Sequence, residues 1–167
     1  RVVPLEVMAA TTEIARRHGL AVHLDGARLF NAVTASSVPA DRYAALADTV
    51  QFCFSKGLGA PVGSILCGDA GLIGEARYRR RQLGGGMRQA GVIAAAGLYA
   101  LDHNVDRLAD DHAHARQLAT ALAEHDVFYV PTPQSNIIVV ELRRGDLNDW
   151  LAAFAAVLDR RGAGAHA

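Results

Sequence analysis

The sequence has no apolar run long enough to cross a bilayer, no excess charge of either sign, and only two cysteines. A spanning helix needs about 20 consecutive apolar residues, and Arg, Asp and Glu are spread throughout the chain, so no membrane segment is expected. Seventeen basic side chains are balanced by seventeen acidic ones, giving a formal net charge of zero. That argues against a nucleic-acid binder, which needs a basic face to neutralise phosphates. Cys53 and Cys67 lie in apolar, strand-like runs without metal-ligand spacing. They read as small core residues of a protein kept reduced in the cytoplasm, and no metal is expected. No signal-peptide pattern is present, because the N-terminus enters a helical pattern at once. No G-x-G-x-x-G follows a first strand, which speaks against a lone NAD-binding domain. The first residue is Arg1 rather than methionine, so a fragment is expected.

What is present is apolar and periodic: 51% of the 167 residues are hydrophobic, enough for one core or for one domain and part of another. The spacing predicts a helix over Pro4–His18, with Pro4 at its start and Leu5, Met8, Ala9, Thr12 and Ala15 on one face. Arg16, Arg17 and His18 suit its C-terminal dipole, and Gly19 its stop. A short strand over Leu20–Leu24 ends at Asp25-Gly26. A helix over Asp41–Ala47 follows, then a continuous apolar strand over Val50–Phe54 and another over Val62–Cys67. Alternating helix and buried strand is the α/β signature. Beyond residue 69 the pattern becomes helical, over Leu72–Leu83, Gln89–Leu101 and Val105–His125. Strand-like segments follow at Phe128–Pro131 and Asn136–Leu142, and a helix at Leu147–Arg160. The tail Arg160–Ala167 lacks any apolar period and reads as frayed. The expected organisation is the end of a large α/β domain over 1–75, a connecting helical region over 76–104, and an incomplete small α+β domain over 105–167.

Three clusters carry candidate chemistry. In His23-Leu24-Asp25-Gly26-Ala27-Arg28, a carboxylate ends a strand where open α/β sheets place ligands, and burying it there needs a cation nearby. Taken alone, an ordinary Asp-Gly turn with a surface Arg28 fits slightly better. In Phe54-Ser55-Lys56-Gly57-Leu58-Gly59-Ala60-Pro61-Val62-Gly63-Ser64, a lysine follows a strand at the rim of the sheet. Burial can make such a lysine nucleophilic, as Schiff-base chemistry requires; a solvated lysine on a tight turn is the plainer alternative. In Gly84-Gly85-Gly86-Met87-Arg88-Gln89, after the basic stretch Arg77–Arg81, successive glycines let backbone approach an anion, or form a flexible hinge. Lys56 lies 31 residues beyond Asp25, with a helix and a strand between, a spacing that can set both over one pocket.

Asp25-Gly26-Ala27-Arg28-Leu29, Ser55–Ser64 and Gly84–Gly91 together resemble the successive motifs of low-specificity L-threonine aldolases, members of the threonine aldolase/β-eliminating lyase family. The resemblance runs over nearly the whole chain and thins after about Leu142. It implies fold type I of the pyridoxal phosphate (PLP) enzymes, with Lys56 as the cofactor-bearing lysine and Asp25 paired with the pyridinium nitrogen. It implies Arg28 at the cofactor or the substrate carboxylate, Arg88 at the cofactor phosphate, lent to a neighbouring subunit, and Arg81 as a basic residue approaching the active site. His23 reads as a satisfied structural histidine. The implied reaction is retro-aldol cleavage of L-threonine or L-allo-threonine to glycine and acetaldehyde in amino-acid metabolism, by a homotetramer. The family's phosphate-binding loop, its ring-stacking histidine and its C-terminal carboxylate-binding arginine have no counterpart here. The rival readings are another fold type I enzyme (a β-eliminating lyase or an aminotransferase) and an inactive fragment or interaction module.

Overall fold

The computed structural model describes residues 2–160; the tail expected to fray lies outside them, apart from Arg160. The first helix, α1 (Leu5–Arg17), begins after Pro4. Its inward face is the one its spacing predicts: Thr12 is buried and Leu5, Met8, Ala9 and Ala15 are half-buried. The Thr12 hydroxyl donates to the Leu46 carbonyl at 3.0 Å, so the one polar group on that face is satisfied. Gly19 adopts φ +67°, the left-handed conformation that terminates helices. Strand β1 (His23–Asp25) is shorter than the apolar run suggested.

Helix α2 (Leu29–Ser36) follows the Asp-Gly turn directly and has no capping side chain at its start. Its composition disguises it. Thr34 and Ser36 bond back to the Phe30 and Ala32 carbonyls, at 2.9 and 2.7 Å, and such residues are weak helix formers. Burial of Leu29 and Asn31 compensates. Next come α3 (Ala40–Ala44) and β2 (Thr49–Cys53). Then β3 (Ser64–Gly68) turns back.

The sheet order is β1-β2-β3. β1 and β2 are parallel, whereas β2 and β3 are antiparallel. Only Val50 of β2 is fully buried and every β3 residue is exposed, so β2 lacks the two-sided burial that its continuous apolar sequence suggests. One layer of core joins Leu29, Tyr43 and Val50 to Leu5, Met8, Leu24 and Val33. A second joins Leu58, Ala60, Ala100 and Leu108 to Phe30, Phe52 and Phe54. Phe52 packs in both, meeting Phe30 and Phe54 edge-to-face at 5.1 and 5.2 Å.

Helix α4 (Ala70–Gln82) starts at Asp69, whose carboxylate accepts from the Leu72 N–H at 3.0 Å. Helices α5 (Gly91–His103) and α6 (Leu108–Ala123) follow. The chain divides into two compact units, one of residues up to 114 with 134–136, the other of 115–133 with residues from 137 onward. The second unit holds a minimal ladder between β4 (Phe128–Tyr129) and β5 (Glu141–Leu142), with α7 (Leu147–Arg160) after it. The Phe128 and Trp150 rings meet there at 4.9 Å. The longer strands that the sequence suggested at Phe128–Pro131 and Asn136–Leu142 shrink to these pairs. Proline has no N–H to donate to a ladder, and Pro131 and Pro133 follow β4 closely. Among the described residues no helix is long and apolar enough to cross a membrane.

Candidate active site

Parallel pairing sets Asp25 beside Gln51 and brings the carboxyl ends of β1 and β2 together. The chain leaves β1 through a turn clamped onto β2. The Gly26 N–H donates to the Gln51 carbonyl at 2.8 Å, and the Cys53 N–H to the Ala27 carbonyl at 3.3 Å. A Cβ at Gly26 would stand 3.0 Å from that Gln51 carbonyl and 3.2 Å from Leu29 Cβ. A Cβ there would force these neighbours to give by a few tenths of an ångström, so the close approach favours glycine.

The turn that follows β2 carries Lys56. Its base is closed by the Phe54 N–H donating to the Gly63 carbonyl at 2.9 Å and the Ala60 N–H to the Phe54 carbonyl at 3.0 Å. Its tip is closed by the Gly59 N–H donating to the Lys56 carbonyl at 2.8 Å, with Gly59 at φ +74°. The underside of the loop is core. Leu58 is 3% exposed and Ala60 8%, and Asn104 donates its amide to the Leu58 carbonyl at 2.7 Å. Gly57 lies so close to Leu108 and Asn31 that a Cβ there would be 2.8 Å from Leu108 Cδ2 and 3.3 Å from Asn31 Oδ1. Asn31 is in turn hydrogen-bonded to His112 at 3.1 Å, a buried polar pair beneath the turn. A crevice of about 10 Å³ is lined by Ala27, Arg28, Asn31, Gly57 and Leu58, so the segments that follow Asp25 and Lys56 both face it.

Asp25 and Lys56 are both exposed. The carboxylate is not met by a cation among the described residues. Its Oδ1 instead accepts from the Ala27 N–H at 3.2 Å and from Gln51 Nε2 at 3.0 Å, and water completes its solvation. Lys56 is not buried by this chain's own packing. It is, however, the sole lysine of the 167 residues, the other sixteen cationic chain residues being arginine. His23 Nδ1 is hydrogen-bonded to Thr49 Oγ1 at 2.8 Å, two register pairs from Asp25 and Gln51. Arg28 is exposed at the start of α2 and lines the same crevice as Gly57.

Arg81 and Arg88 stand elsewhere. With Arg80, Gly84, Gly86 and Met87 they line a cleft of about 650 Å³ whose lining includes neither Asp25 nor Lys56. The three glycines are a helix stop rather than a free hinge. The Gly84 and Gly85 N–H groups donate to the Arg81 and Arg80 carbonyls at 3.1 and 2.8 Å, and Gly84 has φ +84°. A Cβ at Gly85 would lie 2.8 Å from Arg80 Cγ. Among the described residues neither Arg81 nor Arg88 has a carboxylate partner, so the cleft is a site of unbalanced positive charge suited to an anion. The supports of the Lys56 turn, Asn31, Asn104, Leu108 and His112, and the Asp25 partner Gln51 escape sequence reasoning. The one local signal is a polar residue on the apolar face of a helix, as at Asn31.

The beta-eliminating lyase family model matches residues 1–144. The chain belongs to that family. Enzymes of the family depend on PLP. The chain is 44% identical over 147 residues to low-specificity L-threonine aldolase 1 of Arabidopsis thaliana, covering 87% of this chain and 41% of that protein. It is 41% identical over 155 residues to the low specificity L-threonine aldolase of Escherichia coli K12, covering 92% and 46%. A solved structure from Exiguobacterium sp. 255-15, provisionally described as an aromatic amino acid beta-eliminating lyase/threonine aldolase, superposes with a TM-score of 0.83 at 27% identity, over 96% of this chain and 46% of that one. The chain thus spans less than half the length of these relatives. Its fold is the mixed α/β fold of part of a fold type I PLP domain.

Proposed function

We propose that this chain forms the cofactor-lysine part of a PLP-dependent carbon–carbon lyase of threonine aldolase type. The observation that carries the reading is the placement of the sole lysine. It sits on a turn anchored through Leu58 and Ala60 that follows β2, and β2 lies parallel to and paired with β1, at whose carboxyl end Asp25 stands. The donor set fits PLP: an amine to bind its aldehyde carbon and a carboxylate oxygen for its ring nitrogen.

Bound PLP supplies an electron sink for the charge that develops at Cα when the Cα–Cβ bond of a β-hydroxy-α-amino acid breaks. Lys56 holds the cofactor and yields it to the substrate amine. Asp25 supplies the negative charge that keeps the ring nitrogen protonated. Arg28, beside the crevice, binds the substrate carboxylate or the cofactor, and Arg81 extends the basic approach to the site. Arg88 holds the phosphate of a neighbouring subunit's cofactor, which requires a homo-oligomer, by resemblance a homotetramer. The substrate is L-threonine or L-allo-threonine, the products glycine and acetaldehyde, and the setting cytoplasmic amino-acid metabolism without nucleic-acid or membrane partners. Residues 1–75 are the C-terminal part of the large PLP domain, 76–104 connect, and 105–167 are an incomplete small α+β domain.

Product analysis tests the reading. The chain, supplied with PLP, is incubated separately with threonine, serine and alanine. Glycine and acetaldehyde from threonine are expected. Ammonia and a keto acid would instead mark β-elimination, and amino transfer from alanine an aminotransferase.

A further inference from the structure

The face of the sheet that carries Asp25 is a polar ladder. Side chains alternate along a strand, so His23 and Asp25 of β1 share a face with Thr49, Gln51 and Cys53 of β2, and Leu24, Val50 and Phe52 take the other. Within the ladder Gln51 is held at both ends. Its Nε2 donates to Asp25 Oδ1 at 3.0 Å. Its Oε1 accepts from the Cys53 thiol at 3.7 Å, a weak bond but one that selects which end of the amide faces the carboxylate. Asp25 Oδ1 also accepts the Ala27 N–H at 3.2 Å. Both contacts thus fall on one carboxylate oxygen, and Oδ2 has no protein partner among the described residues.

We infer that Gln51 is a positioning residue for Asp25. By occupying Oδ1 from the neighbouring strand, it fixes the plane of the carboxylate and reserves Oδ2 for a single cationic N–H donor. The backbone N–H of Ala27 alone leaves the carboxylate free to rotate about χ2; a second donor from a different strand removes that freedom. Cys53, two residues further along β2, keeps the donating end of the amide turned toward Asp25. The contribution to the reaction rests on the ring-nitrogen role proposed for Asp25, whereas the pair itself forms without cofactor.

The test has two arms. In the cofactor-free chain, the Gln51 side-chain NH₂ resonances are followed by NMR, with Asp25→Ala as the perturbation. They are expected to move, because the amide loses a charged acceptor. Unchanged resonances would overturn the pairing. In the second arm, Gln51→Met keeps the length of the side chain but removes the donor. PLP should bind about fivefold more weakly, the scale of one exposed charge-assisted hydrogen bond, with an unchanged thermal midpoint. Gln51→Glu, which sets a second carboxylate against Asp25, should bind more weakly still. Wild-type affinity in Gln51→Met would overturn the positioning role. If the wild-type chain takes up no PLP yet the Gln51 resonances respond to Asp25→Ala, the cofactor role fails for this chain and the pairing stands.

Discussion

Replacing Asp25 by asparagine is expected to weaken PLP binding about tenfold or more and to slow threonine cleavage by about 10²–10³-fold. Asparagine keeps the shape of the side chain and an oxygen that can accept the N–H groups of Ala27 and Gln51, the two donors that meet Asp25 Oδ1. The site is exposed, so the fold tolerates the change and the thermal midpoint should hardly move. What is lost is the negative charge that, in the proposed role of Asp25, favours a protonated ring nitrogen. Absorbance titration with PLP measures the first effect and acetaldehyde release the second. An Asp25→Asn variant within twofold of wild type in both would show that the carboxylate is only a turn residue.

Leu108→Ala should destabilise the chain by about 2–5 kcal/mol, the range for truncating a fully buried leucine. Leu108 is 1% exposed and belongs to the cluster with Leu58, Ala60 and Ala100. One of its methyl carbons, Cδ2, lies 2.8 Å from where a Gly57 Cβ would stand. The cavity therefore opens directly beneath the residue that follows Lys56. Urea denaturation measures the loss. Hydrogen exchange at the Gly59 and Ala60 amides, which close the turn through the Lys56 and Phe54 carbonyls, should quicken beyond what the global loss accounts for. A cost below about 1 kcal/mol, with exchange at those amides unchanged, would show that the turn does not depend on the core under it.

Much of the architecture could be read from local pattern. The α1 face of Leu5, Met8, Ala9, Thr12 and Ala15, the Gly19 stop and the extent of α7 follow from apolar period and capping, and the structure agrees with each. Helix α2 was not legible, because Asn31, Thr34 and Ser36 are poor helix formers held in place by tertiary burial and back-bonding. The reversal of β3 was not legible either, since apolar content does not encode strand direction. At the site, the glycines and the rim lysine are legible because turns impose local backbone demands. The contacts that fix the site join residues far apart in sequence: Gln51 to Asp25, Asn104 to Leu58, His112 to Asn31. No local period foretells those. The motifs also suggested one site, while the structure sets Arg81 and Arg88 on a cleft whose lining excludes Asp25 and Lys56.

Borohydride reduction of the chain incubated with PLP, followed by peptide mapping, tests the cofactor assignment most directly. With one lysine in the sequence, the only other amine is the chain terminus, so the position of the label is unambiguous. A visible absorbance band that reduction removes, a pyridoxyl group on Lys56, and loss of both in Lys56→Ala are the predicted results. A folded chain that shows no such band would show that this stretch alone does not hold PLP, and a label carried only at the terminal amine would contradict Lys56 as the cofactor lysine.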